Sequence, residues 1–276
     1  MSVHEELAPA KLTVSLKITG VRSDGYHLID SEMVSLDICD RLTISDGDGI
    51  EIIEKYPGIG QRWEGDGAVF VPEDKSNLVC RALELVGRRA HIVLEKNIPP
   101  GAGLGGGSSD AAAILRWAHF SDYDKAGCLG ADVPFCLAGG RARVRGIGEV
   151  VEKLPYVKRY FALLTPPYGV STVDVYRQWD RLGSKVSEGF NDLEQAALYV
   201  EPRLLSWRDE LGSLAGTEPT LAGSGSSWFV EIFDQLEVEK LRDQTEELKE
   251  RFAARGALFD VASSIEEIAQ EPIEFS

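Results

Sequence analysis

Positive charge is scarce in this sequence: its 276 residues carry 29 lysines and arginines against 45 aspartates and glutamates, a formal net charge of −16. Such a balance argues against nucleic acid and against anionic membrane surfaces as partners. It also repels a phosphorylated small molecule, which raises the value of every lysine close to a motif. Histidine and cysteine are equally sparse, four of each, and Cys39, Cys80, Cys128 and Cys136 show no paired metal spacing. No zinc site is expected, and the cysteines read as reduced, buried small hydrophobes. No apolar run is long enough to span a bilayer and nothing resembles a signal peptide, so a cytoplasmic protein is expected. At 43% hydrophobic residues, the chain can bury one large core or two smaller ones. Its oligomeric state stays open between monomer and homodimer.

Several nucleotide-binding signatures are missing too. No Gly-Lys-Ser/Thr closes a Walker A loop, and neither His-Arg-Asp nor Asp-Phe-Gly marks a protein kinase. A dinucleotide fingerprint can be laid over Gly101, Gly103 and Gly106, but residues 118–136 offer Asp122, Asp124 and Asp132 without a clean second strand to carry a ribose ligand. What is present is one stretch, Pro99-Pro100-Gly101-Ala102-Gly103-Leu104-Gly105-Gly106-Gly107-Ser108-Ser109. It follows the apolar run Ile92-Val93-Leu94 and leads into Ala111-Ala112-Ala113-Ile114-Leu115, which reads as strand, glycine loop, helix. Five glycines among seven residues remove Cβ atoms where the backbone turns sharply and approaches something closely, and Ser108 and Ser109 are expected at helix-capping positions. Bare amides at a helix N-terminus form a site for phosphate oxygens.

Residues 11–18 alternate, with Leu12, Val14, Leu16 and Ile18 facing one way and Lys11, Thr13, Ser15 and Lys17 the other. This predicts a half-buried strand on which Lys11 and Thr13 line a common face. A turn-rich loop follows, carrying Tyr26 and His27. Residues 33–44 and 50–53 read as strands, separated by loops at 46–49 and 55–67 from a helix that Ser76-Asn77 caps. Residues 140–153 read as a hairpin turning at Gly146 and Gly148. A strand from Tyr160 to Thr165 ends at Pro166-Pro167 and suits a second, smaller domain from about residue 155. In it the pattern predicts helices at 171–182 and 192–211, a strand at 226–232, one long amphipathic helix at 235–255 and a strand at 257–262. Residues 264–276 read as a frayed acidic end.

The glycine stretch resembles the second motif of the GHMP kinases, the superfamily of galactokinase, homoserine kinase and mevalonate kinase. Gly223-Ser224-Gly225-Ser226-Ser227 resembles the third motif, a glycine loop that packs against the phosphate loop. Ala8-Pro9-Ala10-Lys11-Leu12 followed by Asp24-Gly25-Tyr26-His27 is similar to one branch, whose members phosphorylate a cytidine diphosphate conjugate of a branched tetritol in non-mevalonate isoprenoid biosynthesis. The resemblance implies an α+β GHMP kinase fold: an N-terminal ribosomal-protein-S5-like ATP-binding domain (1–154), a C-terminal ferredoxin-like domain (155–276), and the site in the cleft between them.

It also implies residue roles. Pro99, Gly101, Gly103, Leu104, Gly105, Gly106, Gly107, Ser108 and Ser109 would hold the phosphates of ATP, and Asn77 would contact its base. Gly223, Ser224 and Gly225 would support that loop. Gly130-Ala131-Asp132-Val133-Pro134 matches the family, making Asp132 the acidic catalytic residue beside Lys11. Thr13, Tyr26, His27, Lys96, Thr172 and Tyr176 would bind the acceptor, with Tyr26 and Tyr176 sandwiching the cytosine. Asn191-Asp192 matches a family pair of less certain role. Two departures stand out: Thr13 replaces an asparagine common in the family, and residues 121–129 are shorter than the family's helical insertion. Mg²⁺ would arrive with ATP, since no dedicated carboxylate cage is visible. The rival readings are a GHMP kinase for another alcohol, of homoserine or mevalonate type, and a catalytically inactive nucleotide sensor.

Overall fold

A computed structural model describes residues 3–56, 71–184 and 186–268. The expected loop at 55–67 lies almost wholly outside them. The first half of the chain builds β1 (His4–Val21), β2 (His27–Ser45), β3 (Gly49–Glu54), α1 (Leu78–Leu85), β4 (His91–Lys96), α2 (Gly106–Trp117), α3 (Tyr123–Gly127), α4 (Val133–Ala138), β5 (Arg141–Gly146) and β6 (Val150–Lys153). The second half builds β7 (Tyr160–Thr165), α5 (Thr172–Arg181), α6 (Glu194–Val200), α7 (Leu204–Ala215), β8 (Thr220–Leu221), β9 (Trp228–Ile232), α8 (Gln235–Asp243), α9 (Thr245–Ala253) and β10 (Leu258–Ser263).

Two sheets result. The first runs β3-β4-β2-β5-β6, with β1 paired along β2. It opens with a long antiparallel hairpin whose register runs from Val21 opposite His27 to His4 opposite Ile44. β3 lies parallel to β4 through the crossover helix α1. The second sheet, β10-β7-β9-β8, is antiparallel, and the chain passes from one sheet to the other between Lys153 and Tyr160.

β1 is buried on both faces where a half-buried strand was expected, because it lies in the seam between the two halves. Leu16 and Ile18 join a core with Ala162, Leu164 and Trp228, while Leu12 and Val14 pack with Ile98, Leu104, Phe161 and Phe229. Lys11 and Thr13, on the opposite face, are buried as well. Register shifts at Pro9/Lys11, Thr13/Ser15 and Ile18/Gly20 are bulges that re-aim side chains along an otherwise regular strand.

Two further expectations are corrected. The apolar pattern at 235–255 is not one helix: it breaks at Gln244, and the buried Thr245 hydroxyl donates back to the Leu241 carbonyl at 2.8 Å, competing with regular helical bonding. Both pieces still turn Leu241, Leu248 and Phe252 into one core. Nor is the end of the chain frayed from Ser264 onward. Ser264 pairs with Leu36, Ile265 donates to the Ser35 carbonyl at 2.9 Å, and Ile268 packs on Gly139. Residues 269–276 lie outside the described residues.

Candidate active site

The glycine loop connects β4 to α2 as its composition predicts, but the helix starts earlier than the serines suggested. Gly105 is the N-cap, in the left-handed region at φ 68°, and α2 begins at Gly106. Ser108 and Ser109 are therefore inside the first turn. Tertiary packing decides this: a Cβ on Gly105 would stand 2.5 Å from Lys11 Cγ, and one on Gly106 would stand 3.0 Å from Ile98 Cγ2. Ser109 turns inward and donates its hydroxyl to the Pro9 carbonyl at 2.7 Å, fixing the helix to β1; this corrects its expected place on phosphate. Ser108 remains half-buried and Gly107 exposed at the helix mouth. The amides of the first turn have no carbonyl behind them within the helix and carry its partial positive charge. Pro99 is buried, and Gly101, Gly103 and Gly105 all adopt positive φ.

Lys11 lies across this loop. Its amide donates to the Leu104 carbonyl at 2.9 Å, and its ammonium donates to Thr13 Oγ1 at 3.1 Å and pairs with Asp132 Oδ2 at 3.3 Å. Asp132 occupies the N-cap position of α4, with Pro134 in the first turn, yet its carboxylate makes no capping bond. Its side chain keeps 32% exposure against 7% for Lys11, so the carboxylate faces open space while the amine approaches it from below. The third glycine loop closes the opposite wall: a Cβ on Gly223 would lie 3.7 Å from Lys11 Nζ and 3.6 Å from Thr13 Oγ1.

His27 stands against helix α5. Its ring is 4.8 Å from that of Tyr176 and meets Trp179 edge-on at 5.5 Å, and Nε2 bonds Asp180 Oδ1 at 2.8 Å. Burial and the negative charge of Asp132 push the Tyr176 hydroxyl up from its ordinary range. Tyr26 is 58% exposed and lies under the Arg22 guanidinium, 5.3 Å from the ring centre. Among the described residues the ring against Tyr176 is that of His27. Thr172, at the start of α5, shares a 2.8 Å hydrogen bond with Ser224 of the third loop.

Two expected ligands are engaged elsewhere. Asn77 caps α1: Oδ1 accepts from the Val79 amide at 2.9 Å, and Nδ2 donates to the Pro72 carbonyl at 2.7 Å. Both ends of its amide are thereby satisfied by backbone, as a helix-entry residue requires. Lys96 is only 2% exposed and is held by Asp40 and, at 2.6 Å, by Asp110 Oδ2. Its charge lies beneath the loop, within 3.1 Å of where a Gly106 Cβ would stand, instead of facing the acceptor. Asp40 also accepts the amides of Asn97 at 2.6 Å and Ile98 at 2.7 Å, tying the approach to the loop. Burial lifts the Asp110 carboxyl to about 8 against the attraction of Lys96, and Asp110 Oδ1 has no hydrogen-bond partner among the described residues. Sequence reading missed this cluster because its members sit 56 and 14 residues apart; the one signal was an aspartate within the apolar start of α2.

A glycine loop at a helix mouth, a lysine–carboxylate pair beside it and a second glycine loop opposite define a GHMP kinase. Residues 77–140 match the family model for the GHMP kinases N terminal domain. The chain is 37% identical over 249 residues to the 4-diphosphocytidyl-2-C-methyl-D-erythritol kinase of Paracoccus denitrificans, covering 83% of this chain and 87% of that one. It is 35% identical over 285 residues to the enzyme of the same name from Clostridium kluyveri, covering 90% and 98%. A crystal structure of 4-(cytidine 5'-diphospho)-2C-methyl-D-erythritol kinase superposes with a TM-score of 0.70 at 29% identity, over 95% of this chain and 99% of that one. The chain belongs to the 4-diphosphocytidyl-2-C-methyl-D-erythritol kinase family.

Proposed function

We propose that this protein transfers the γ-phosphoryl group of ATP to the 2-hydroxyl of 4-diphosphocytidyl-2-C-methyl-D-erythritol, in the non-mevalonate route to isoprenoid precursors. The reaction would run in the cytoplasm, in the cleft between an N-terminal domain (1–154) and a C-terminal one (155–276). The observation that carries the reading is the Lys11–Asp132 pair, 3.3 Å apart, set between two glycine loops in a chain whose relatives bear that enzyme's name.

Phosphoryl transfer asks a protein mainly for positioning and charge neutralisation. The loop from Gly101 to Gly107 would wrap the triphosphate, with the first amides of α2 donating to its oxygens. The Asp132 carboxylate and the Ser108 hydroxyl are oxygen donors that would help to hold Mg²⁺ brought in with ATP, which would supply further charge neutralisation. Asp132 would orient the acceptor hydroxyl and take its proton as the bond forms. Lys11 would hold that carboxylate in place and present positive charge to the transferring group. Thr13 accepts from Lys11, which leaves its own proton to donate toward the acceptor, a shorter reach than an asparagine offers. Stacking on Tyr26 and contact with the His27–Tyr176 pair would bind the cytosine.

The test is magnesium-dependent ADP release from ATP with the cytidine conjugate, run beside homoserine, mevalonate and galactose. Turnover with the cytidine conjugate alone supports the reading; turnover with another acceptor overturns it.

A further inference from the structure

Asn191 and Asp192 touch none of the groups placed at the reacting centre, yet both are buried. Asp192 faces β1: Oδ2 accepts from the Ile18 amide at 2.9 Å, and Oδ1 accepts from Lys17 Nζ at 3.0 Å and the Ser187 amide at 2.9 Å. The backbone joins in, since Leu16 donates to the Phe190 carbonyl at 2.8 Å and Asp192 to the Leu16 carbonyl at 3.0 Å. Asn191 faces the other way. Its Nδ2 donates to the Leu221 carbonyl at 2.8 Å and the Gly223 carbonyl at 2.6 Å, while Oδ1 accepts from the Leu193 amide at 2.9 Å.

The loop so gripped is the one that walls the cleft. A Cβ on Gly103 would stand 2.6 Å from the Ala222 carbonyl oxygen and 2.7 Å from that of Gly225, so the two glycine loops touch backbone to backbone. Ser227 donates its amide to the Ala102 carbonyl at 3.1 Å. Gly223 is also the residue that backs Lys11 and Thr13.

We infer that Asn191 is a positioning residue: its amide sets how deeply the loop at 221–225 seats against the phosphate loop and Lys11, and Asp192 anchors that bracket to β1. A purely structural asparagine would matter through Oδ1 alone, which satisfies the amide at the start of the next turn. The two jobs use different atoms and are therefore separable. Asn191→Asp keeps an oxygen for Leu193 but sets a carboxylate oxygen against two carbonyls, whereas Asn191→Ala removes the donors and adds no charge.

The kinetic arm of the test rests on the proposed kinase reading; the hydrogen-exchange arm needs no ligand. In both variants the Ser227 amide is expected to exchange roughly tenfold faster or more, with the β7 and β9 amides unchanged. kcat/KM for ATP is expected to fall roughly tenfold, and by more than kcat/KM for the cytidine conjugate. Exchange at Ser227 at the wild-type rate overturns the inference, as does a parallel loss in both substrates that follows the folded fraction. If Asn191→Asp does not fold, Asn191→Ala decides alone. Should the wild type fail to phosphorylate the conjugate, the function falls and Ser227 exchange still decides the role of Asn191.

Discussion

Substituting alanine at Gly107 and at Gly105 separates the folding demands of the phosphate loop from its binding demands. Gly107 lies in the first turn of α2, and among the described residues a Cβ there meets only Leu78 Cδ1, at an ordinary 3.7 Å. Alanine is better than glycine in a helix by roughly 0.5–1 kcal/mol. Gly107→Ala should therefore raise the melting temperature of the ligand-free protein by about 1–4 °C. The same methyl group stands at the open helix mouth, where the phosphates are proposed to sit, so the Kd for ATP should rise roughly tenfold. Gly105→Ala reverses the first sign. Its φ of 68° is left-handed, which costs a non-glycine residue about 1–2 kcal/mol, and the Cβ, 2.5 Å from Lys11 Cγ, adds about 1–3 kcal/mol of overpacking. Melting should fall by roughly 4–20 °C, and kcat should fall because the displaced stem carries the Lys11 ammonium. Scanning calorimetry without ligand and titration calorimetry with ATP read the two effects independently. A Gly107→Ala protein that is more stable and binds ATP as tightly as wild type would refute the placement of phosphate at this helix mouth.

Three further substitutions test other parts of the site. Asp132→Asn should lower kcat by about 10²–10⁴ with ATP binding largely kept; near-normal single-turnover rates would remove Asp132 from the chemistry. Tyr26→Ala, at an exposed ring, should raise KM for the cytidine conjugate more than KM for ATP, and equal effects would contradict stacking. Because the Asp110 carboxyl is lifted to about 8 by burial from an unfolded value near 4, folding takes up a proton between those values. The stability tied to it is complete below about pH 4 and is lost as pH rises through about 8. Thermal melts between about pH 6 and about pH 9 should therefore decline less steeply for Asp110→Asn than for wild type; parallel curves would show that Asp110 stays ionised throughout.

Much of the molecule was legible where local chemistry decides. The strand–loop–helix around Pro99–Ala113, the hairpin at 140–153 and the alternation of β1 all follow from spacing and glycine content. The Lys11–Asp132 pair came from motif resemblance, and the structure brings its members together across 121 positions of sequence. What was hidden depends on partners distant in sequence. Ser109 reads as a cap until Pro9 is seen to take its hydroxyl, and Lys96 reads as a free cation until Asp40 and Asp110 close around it. Asn77 was open to either role in the sequence, and only the Pro72 carbonyl shows where its second group goes. The break at Gln244 was invisible because the apolar pattern continues across it.

The strip from Ser264 to Ile268, bonded to Leu36 and Ser35 and packed on Gly139, has a consequence for how the protein is born. A ribosome adds about 5–20 residues per second, so Ser35 emerges on the order of tens of seconds before the strip that covers it. Throughout that interval the Ser35 carbonyl lacks the Ile265 amide that bonds it, and the nascent first half must wait for a segment of the second. Completion of the amino-terminal half is therefore coupled to the synthesis of a strip more than two hundred residues further along the chain.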